Sequence, residues 1–244
     1  MALLPFPQPS ELLPVGFVMA RFIDAFSASP EFTYWWSPSP DVMRAWHASR
    51  IRGRFSDPTT QQFKVADASS GAVVAFAKWD PPAGMKGLRD GFVVYDEEGR
   101  EVVGLEDLGE GGKIGGAVQE KKEEKKKKKL KAPEGADERL YEEFFDGLET
   151  MGEKWRSHEK LVLSIVCTDP SHHGRGIAAS LIRPVLALAD KERIPAYLEA
   201  LPLAVPLYRR LGFQPVDRLE YDLAKAGRQG KAVLTIMVRE PQSE

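Results

Sequence analysis

Residues 167–182, CTDPSHHGRGIAASLI, hold most of the candidate chemistry of this chain. An apolar run ends at Cys167, a Pro-Ser-His-His turn follows, and Gly174 and Gly176 flank Arg175 before a helical pattern begins at Ile177. The first amides of a helix have no intrahelical partner, and the aligned peptide dipoles place partial positive charge there. Small residues at Gly174, Gly176, Ala178 and Ala179 open those amides to close approach by a phosphate. Arg175 adds a cation beside them. The phosphate-binding patterns GxxxxGK(S/T) and GxGxxG are both absent. Taken alone, the loop reads either as an anion cradle or as a tight turn before a buried helix.

The elements around the loop follow from hydrophobic period. KLVLSIVCT reads as a buried strand that delivers the chain to the loop. GRGIAASLIRPVLALADKE reads as a helix with Ile177, Leu181, Val185 and Leu188 on one face and Pro184 placed to kink it. IPAYLEA is a short strand, and AVPLYRRLG is a short helix stopped by Gly212. FQPVDRLEYDL and AVLTIMVRE are strands separated by AKAGRQGK. Upstream, VMARFIDAF and PDVMRAWHASRIRGRF read as helices, the second with Val42, Trp46 and Ile51 roughly on one face. QQFKVAD and GAVVAFAKWD form a hairpin through ASSG. DERLYEEFFDGLETMGEKWRS is a helix through Leu140, Phe144, Leu148 and Met151, with Asp137 as N-cap. This pattern predicts a single α/β or α+β domain over residues 1–244.

Residues 83–135 read as an insertion into that domain. GFVVYDEEGREVVGL suits an added hairpin turning at Glu98-Gly99. Residues 109–135 are rich in Gly, Lys and Glu and bury too little apolar surface to offset ordering entropy, so disorder is expected there. The tract KKEEKKKKKLK, residues 121–131, reads first as a solvated linker. A nuclear-targeting signal, a nucleic-acid tether and a self-acetylation target are the sharper alternatives. No aromatic residues interleave it for base stacking.

Composition narrows the function classes. With 43% hydrophobic residues the chain has material for a core. No apolar run approaches the ~18 residues of a membrane span. The start, MALLPFPQPSELLPVGF, carries four prolines and lacks the basic opening of a secretory signal, so none is expected. A net charge of −2 argues against a globally basic nucleic-acid binder. The single cysteine, Cys167, excludes an intrachain disulfide and fits a reducing, cytoplasmic or nuclear setting.

The loop, followed by PLYRRLGF at residues 206–213, resembles the GNAT superfamily of N-acetyltransferases. In that family a Q/R-x-x-G-x-G/A motif joins the fourth strand to a helix and binds the pyrophosphate of acetyl-CoA. Gly176 and Ala178 match its last two defined positions, and His173 stands where Gln or Arg is usual. The signature A-x-x-L-Y-x-x-x-G-F is met by Ala204, Leu207, Tyr208, Gly212 and Phe213, while Leu201 replaces the Asn that many members carry. FKVADASSGAVVAFAKWDPP and YLEA resemble uncharacterised fungal members. The likeness covers roughly residues 10–82 and 136–240.

The resemblance implies a mixed, mostly antiparallel central sheet flanked by helices, with the fourth and fifth strands splayed around the cofactor. It implies acetyl-CoA as donor, and a small-molecule or peptide amine as direct acceptor. His173, Gly174, Arg175, Gly176, Ile177, Ala178 and Ala179 would hold the pyrophosphate. The backbone of Ile165, Val166 and Cys167 would pair with pantetheine. Tyr208 falls at the family's general acid; its alternative is a core tyrosine. Glu199 and Asp169 are the candidate bases, against structural roles for both. Trp35 and Trp36 line an acceptor pocket or form a packed loop, and Trp79 is expected in the core. The adjacent His172 and His173 suit a turn or a pyrophosphate better than a metal. Cys167 suits a buried strand position better than a ping-pong nucleophile. A nuclear protein-lysine acetyltransferase and a non-catalytic acyl-CoA-binding module remain as alternatives.

Overall fold

Period-two alternation, broken by turn chemistry, builds a six-stranded sheet that helices cover on both faces. The computed structural model describes residues 23, 25–27, 29–55, 60–67, 70–83, 85, 93–95, 101–104 and 131–243. After the helical residues Ile23, Ala25 and Phe26 come α1 (Pro30–Thr33) and α2 (Pro40–Phe55), each opened by a proline at its N-terminus. Strands β1 (Gln61–Ala66) and β2 (Val73–Asp80) form the expected antiparallel hairpin. Strands β3 (Val93–Tyr95) and β4 (Glu101–Gly104) pair as a separate antiparallel ribbon, as the sequence of the insertion suggests. Helix α3 (Glu138–Lys154) follows, and Asp137 caps it by accepting from the amides of Arg139 and Leu140. Then come β5 (Leu161–Thr168), α4 (Ile177–Lys191), β6 (Ala196–Ala200), α5 (Val205–Arg210), β7 (Gln214–Asp222) and β8 (Lys231–Arg239). Most of the helix expected over Val18–Phe26, and the lysine tract up to Leu130, lie outside the described residues. Among the described residues, no helix is long and apolar enough to cross a membrane.

The strand order is β1-β2-β5-β6-β8-β7. Every pairing is antiparallel except β5 with β6. The parallel pair needs a crossover, and α4 supplies it. Helix α4 buries Ile177, Leu181, Ile182, Val185 and Leu186 against Trp79, Leu163 and Met237 of the sheet. Pro184 lies on its exposed side, where a missing amide disturbs no packing. On the other face α3 buries Leu140, Tyr141 and Phe144 against Tyr221 and Leu234. Asp217 ties the end of α3 to β7, taking hydrogen bonds from Lys154 Nζ at 2.6 Å and Trp155 Nε1 at 3.0 Å. Those bonds hold its carboxyl down at about 2.

A second tie closes the C-terminal end. Buried Arg239, the last residue of β8, donates two hydrogen bonds to Asp190 of α4 at 2.6 and 2.7 Å and a third to the Leu211 carbonyl at 2.9 Å. Arg239, together with the Gln242 amide, lowers the pKa of Asp190. A depressed carboxyl stabilises the fold above its unfolded pKa, and that contribution disappears as pH falls through the folded value. Arg239→Met removes the partner of a partly buried carboxylate and is expected to cost about 3 kcal/mol. Urea denaturation at pH 7 checks this, and the gap from the native chain should narrow as the pH drops through the acid range.

Candidate active site

The candidate site is built where β5 and β6 stop pairing. Their parallel register covers only Leu161 with Ala196 and Val162 with Tyr197. From Leu163 onward β5 continues alongside β2 alone, leaving a fork open toward its C-terminal end. A bulge sits at the root of the fork. Lys78 pairs with Ile165 and Trp79 with Leu163, so Ser164 is the extra residue. The bulge reverses the alternation. Leu161 and Leu163 pack with the α4 core, whereas Ile165 and Cys167 pack on the opposite face with Phe76.

The same phase change selects which backbone groups face the fork. The amide of Asp169 donates to the Val74 carbonyl at 2.8 Å, so Asp169 and Val74 exchange ladder hydrogen bonds. Counting back along β5, Cys167 and Ile165 also turn their backbone groups to β2, while Thr168 and Val166 turn theirs to the fork. The alternation therefore divides the three residues expected to meet pantetheine. Val166 turns its N–H and C=O toward the fork. Ile165 and Cys167 spend theirs inside the sheet, because antiparallel partners on the β2 side require them. Thr168 is the additional edge residue, and its carbonyl already accepts from His173 Nε2 at 2.9 Å.

The loop continues from that edge. Asp169 is buried and caps the Pro170–His172 turn, accepting from the Ser171 amide at 2.8 Å and the Ser171 hydroxyl at 2.7 Å. It thereby serves as a turn residue. Gly174 and Gly176 adopt φ of 72° and 74°, a region that costs other L-residues about 1–2 kcal/mol. A Cβ at either position would meet nothing within 4 Å, so open space lies over the loop. Gly176 is the N-cap of α4 and offers no side-chain bond to the helix amides, and the first turn carries no acidic residue. The first intrahelical bond drawn to this cap is that of the Ser180 amide, at 3.0 Å. The amides of Ile177, Ala178 and Ala179 thus form an uncapped, positively polarised end beside the fork. Arg175 is exposed above them, steadied by the Ser171 carbonyl at 3.2 Å. This cradle fits a diphosphate.

Two titratable side chains, Tyr208 and Glu199, lie on the elements beside the gap, and burial raises the pKa of both. Tyr208 on α5 is buried, its ring packed on Phe213 at 5.9 Å. Burial first, then the field of Cys167, pushes its phenol well above the ordinary range. Its oxygen keeps its proton throughout neutral pH. Cys167 is itself buried, and desolvation raises its thiol too, which suits a packed strand position and disfavours a thiolate nucleophile. Glu199 lies on β6 two residues past the last rung with β5. Burial, with a further push from Asp80, raises its carboxyl.

One comparison with known proteins falls on this region. Residues 145–215 match the family model described as "Acetyltransferase (GNAT) domain", a span that contains the fork, the glycine loop and Tyr208. A structure titled histone acetyltransferase HPA2 and related acetyltransferase, from Corynebacterium glutamicum, is similar at 20% identity. The match covers 97% of this chain and 96% of that one, with a TM-score of 0.53. The ribosomal-protein-S18-alanine N-acetyltransferase of Escherichia coli matches at 13% identity, covering 96% and 94%, with a TM-score of 0.44.

The fold is that of the GNAT acetyltransferases. That fold sets Val166 on β5, the 173–179 loop before α4, Glu199 on β6 and Tyr208 on α5, the elements that border the fork. It does not bring Trp35 there. Trp35 is fully buried, ringed by Tyr141 at 5.3 Å, Phe145 at 5.5 Å and Trp46 at 5.6 Å, and its bulk fills the core between α2 and α3. Trp36 is half-buried against Phe32 and His47. Sequence reasoning passed over Lys78, Asp80 and Ser164, which meet at the bulge. The one available signal was a charged pair inside an otherwise apolar strand.

The raised carboxyl of Glu199 has a stability consequence. A group that binds its proton more tightly in the fold stabilises fully below its unfolded pKa and loses that contribution as pH rises through the folded value. Glu199→Gln removes the penalty of holding a charge there. Thermal melts should show the variant more stable than the native chain at pH 8, with the difference vanishing near pH 4.

Proposed function

We propose that this chain transfers an acetyl group from acetyl-CoA to a primary amine by direct attack within the fork. The observation that carries the reading is the fork itself, which opens after two rungs and runs into the uncapped N-terminus of α4. The amides of Ile177, Ala178 and Ala179, with Gly174, Gly176, Arg175 and His173 around them, would hold the pyrophosphate. The edge groups of Val166, continued by Thr168, would take pantetheine as a strand takes its neighbour. When bound, acetyl-CoA supplies an acyl group activated as a thioester.

The residues of the chain then divide the proton work. Glu199, raised by burial, accepts a proton at its carboxylate from the incoming amine, directly or through water. Tyr208 holds a proton at its hydroxyl oxygen for the departing sulfur. The N–H of Val166 is the edge donor placed to polarise a carbonyl lying in the fork. The carboxylate, whose ordinary pKa is far below that of a phenol, is the base of the pair, and the phenol is the acid. Trp36 belongs to the aromatic wall on the α2 side and would border the acceptor.

Calorimetry is the first test. Native chain should bind acetyl-CoA, and dephosphorylated pantetheine should bind more weakly. Gly176→Glu places a carboxylate over the helix amides, and affinity should fall at least tenfold, or about 1.4 kcal/mol. The added side chain meets open space, so the only stability cost expected is the left-handed backbone strain of about 1–2 kcal/mol, a drop of a few degrees in melting temperature that Gly176→Ala should share while keeping acetyl-CoA affinity. Absence of binding to the native chain would sink the reading. Tyr208→Phe should keep acetyl-CoA affinity and lower kcat by on the order of 10²-fold. A chain that binds acetyl-CoA and acetylates no member of a panel of small amines and lysine peptides would instead be a binding module.

A further inference from the structure

One buried charged cluster lies apart from the residues assigned above. Lys78 on β2 is 6% exposed and forms an ion pair with one oxygen of Asp80. The other Asp80 oxygen accepts the hydroxyl proton of Ser164, the bulge residue of β5. A buried ammonium is costly unless paired, and Asp80 supplies the partner of Lys78. Ser164 has a single hydroxyl proton and commits it to the same carboxylate. Both oxygens of Asp80 are therefore held in place.

Its position matters more than its partners. Asp80 pairs with Val162, and Val162 pairs with Tyr197, so the three lie on one line across β2, β5 and β6 at the last rung before the fork opens. Glu199 is two residues beyond Tyr197 and shares its face of β6. Four groups bear on this corner. Asp80 acts on Glu199 from β2, and Lys78 stands behind it. Tyr197 adjoins Glu199 on β6, with a buried hydroxyl that has no hydrogen-bond partner of good geometry among the described residues. Tyr221 approaches from β7, but its hydroxyl already donates to the Phe144 carbonyl at 2.9 Å. Glu199, with the Tyr197 phenol beside it and the clamped Asp80 across the strands, is the group of this corner left to meet whatever enters from the acceptor side.

We propose that Asp80, clamped by Lys78 and Ser164 at the root of the fork, is a positioning residue that makes Glu199 the proton acceptor and selects an acceptor entering as an ammonium ion. The proposal rests on the reading of Glu199 as the base. The step balances as a single proton transfer. An N–H proton of the ammonium moves to a Glu199 carboxylate oxygen, and the electron pair of that N–H bond becomes the lone pair of the neutral amine. An alcohol brings no charge to a pair of carboxylates and gains nothing from them.

Carboxyl titration by NMR on ¹³C-Glu-labelled full-length chain tests the coupling without any acceptor. The midpoint of Glu199 should lie above that of ordinary glutamates, and Asp80→Asn should lower it by roughly half a unit or more. Since Asp80→Asn leaves Lys78 buried without its partner, the neutral pair Lys78→Met/Asp80→Asn serves as the second variant and should shift Glu199 the same way. An unmoved midpoint in both variants overturns the proposal, whatever the activity. The pH dependence of kcat/KM, with phenethylamine, spermidine and a lysine peptide as probes, tests its use in the reaction. The rising limb should move to lower pH with the titration, while acetyl-CoA affinity stays within about twofold. A titration that shifts beside a limb that stays fixed overturns the role of Asp80. A limb that persists unchanged in Glu199→Gln would overturn the base assignment itself and leave the coupling standing.

Discussion

The register between β5 and β6 constrains everything else in this molecule. Two strands joined by a helical crossover would ordinarily pair along their length, because unpaired backbone groups at depth are costly. Here pairing ends after Val162 and Tyr197. The bulge at Ser164 makes that ending stable, since it adds one residue to β5 and turns the edge groups of Val166 and Thr168 out of phase with the rungs below. The fork thereby leaves a strand edge exposed inside the sheet, bordered by the uncapped end of α4. An exposed edge is a liability on a protein surface. Within a gap that admits an extended ligand, it is a binding device.

The sheet also separates two electrostatic regimes. On the α4 face, apolar packing surrounds Tyr208 and keeps its proton in place. On the α3 face, the charges of Lys78, Asp80 and Glu199 are gathered near the fork, where partial burial strengthens their mutual influence. The ends of the fold are held by polar ties, Asp217 with Lys154 and Trp155, and Arg239 with Asp190. These fix the helices that carry the site without placing charge in the gap.

The aromatic cluster around Trp35 illustrates how residue type can mislead about location. Two tryptophans beside prolines suit an apolar pocket or a packed loop equally well by composition. Contact with Tyr141, Phe144 and Phe145 of α3 decides for packing at Trp35, because α3 needs a partner for its aromatic face and α2 brings no other surface so large. Trp79 is in the core as expected, since its strand is covered on both sides.

The sequence by itself determined the order of strands and helices, the hairpin through residues 67–72, the Asp137 cap and the position of the glycine loop. All of these are local: they rest on apolar period, turn residues and capping chemistry within a few positions. It also placed Tyr208 and Glu199 on their elements. Tertiary structure alone decided that β5 carries a bulge, because an apolar run such as LVLSIVCT has no alternation from which its phase can be read. That one-residue shift chose Val166 over its neighbours and gathered Ser164 with Asp80 and Lys78, residues distant in sequence. Register is a property of paired strands, and no single strand contains it.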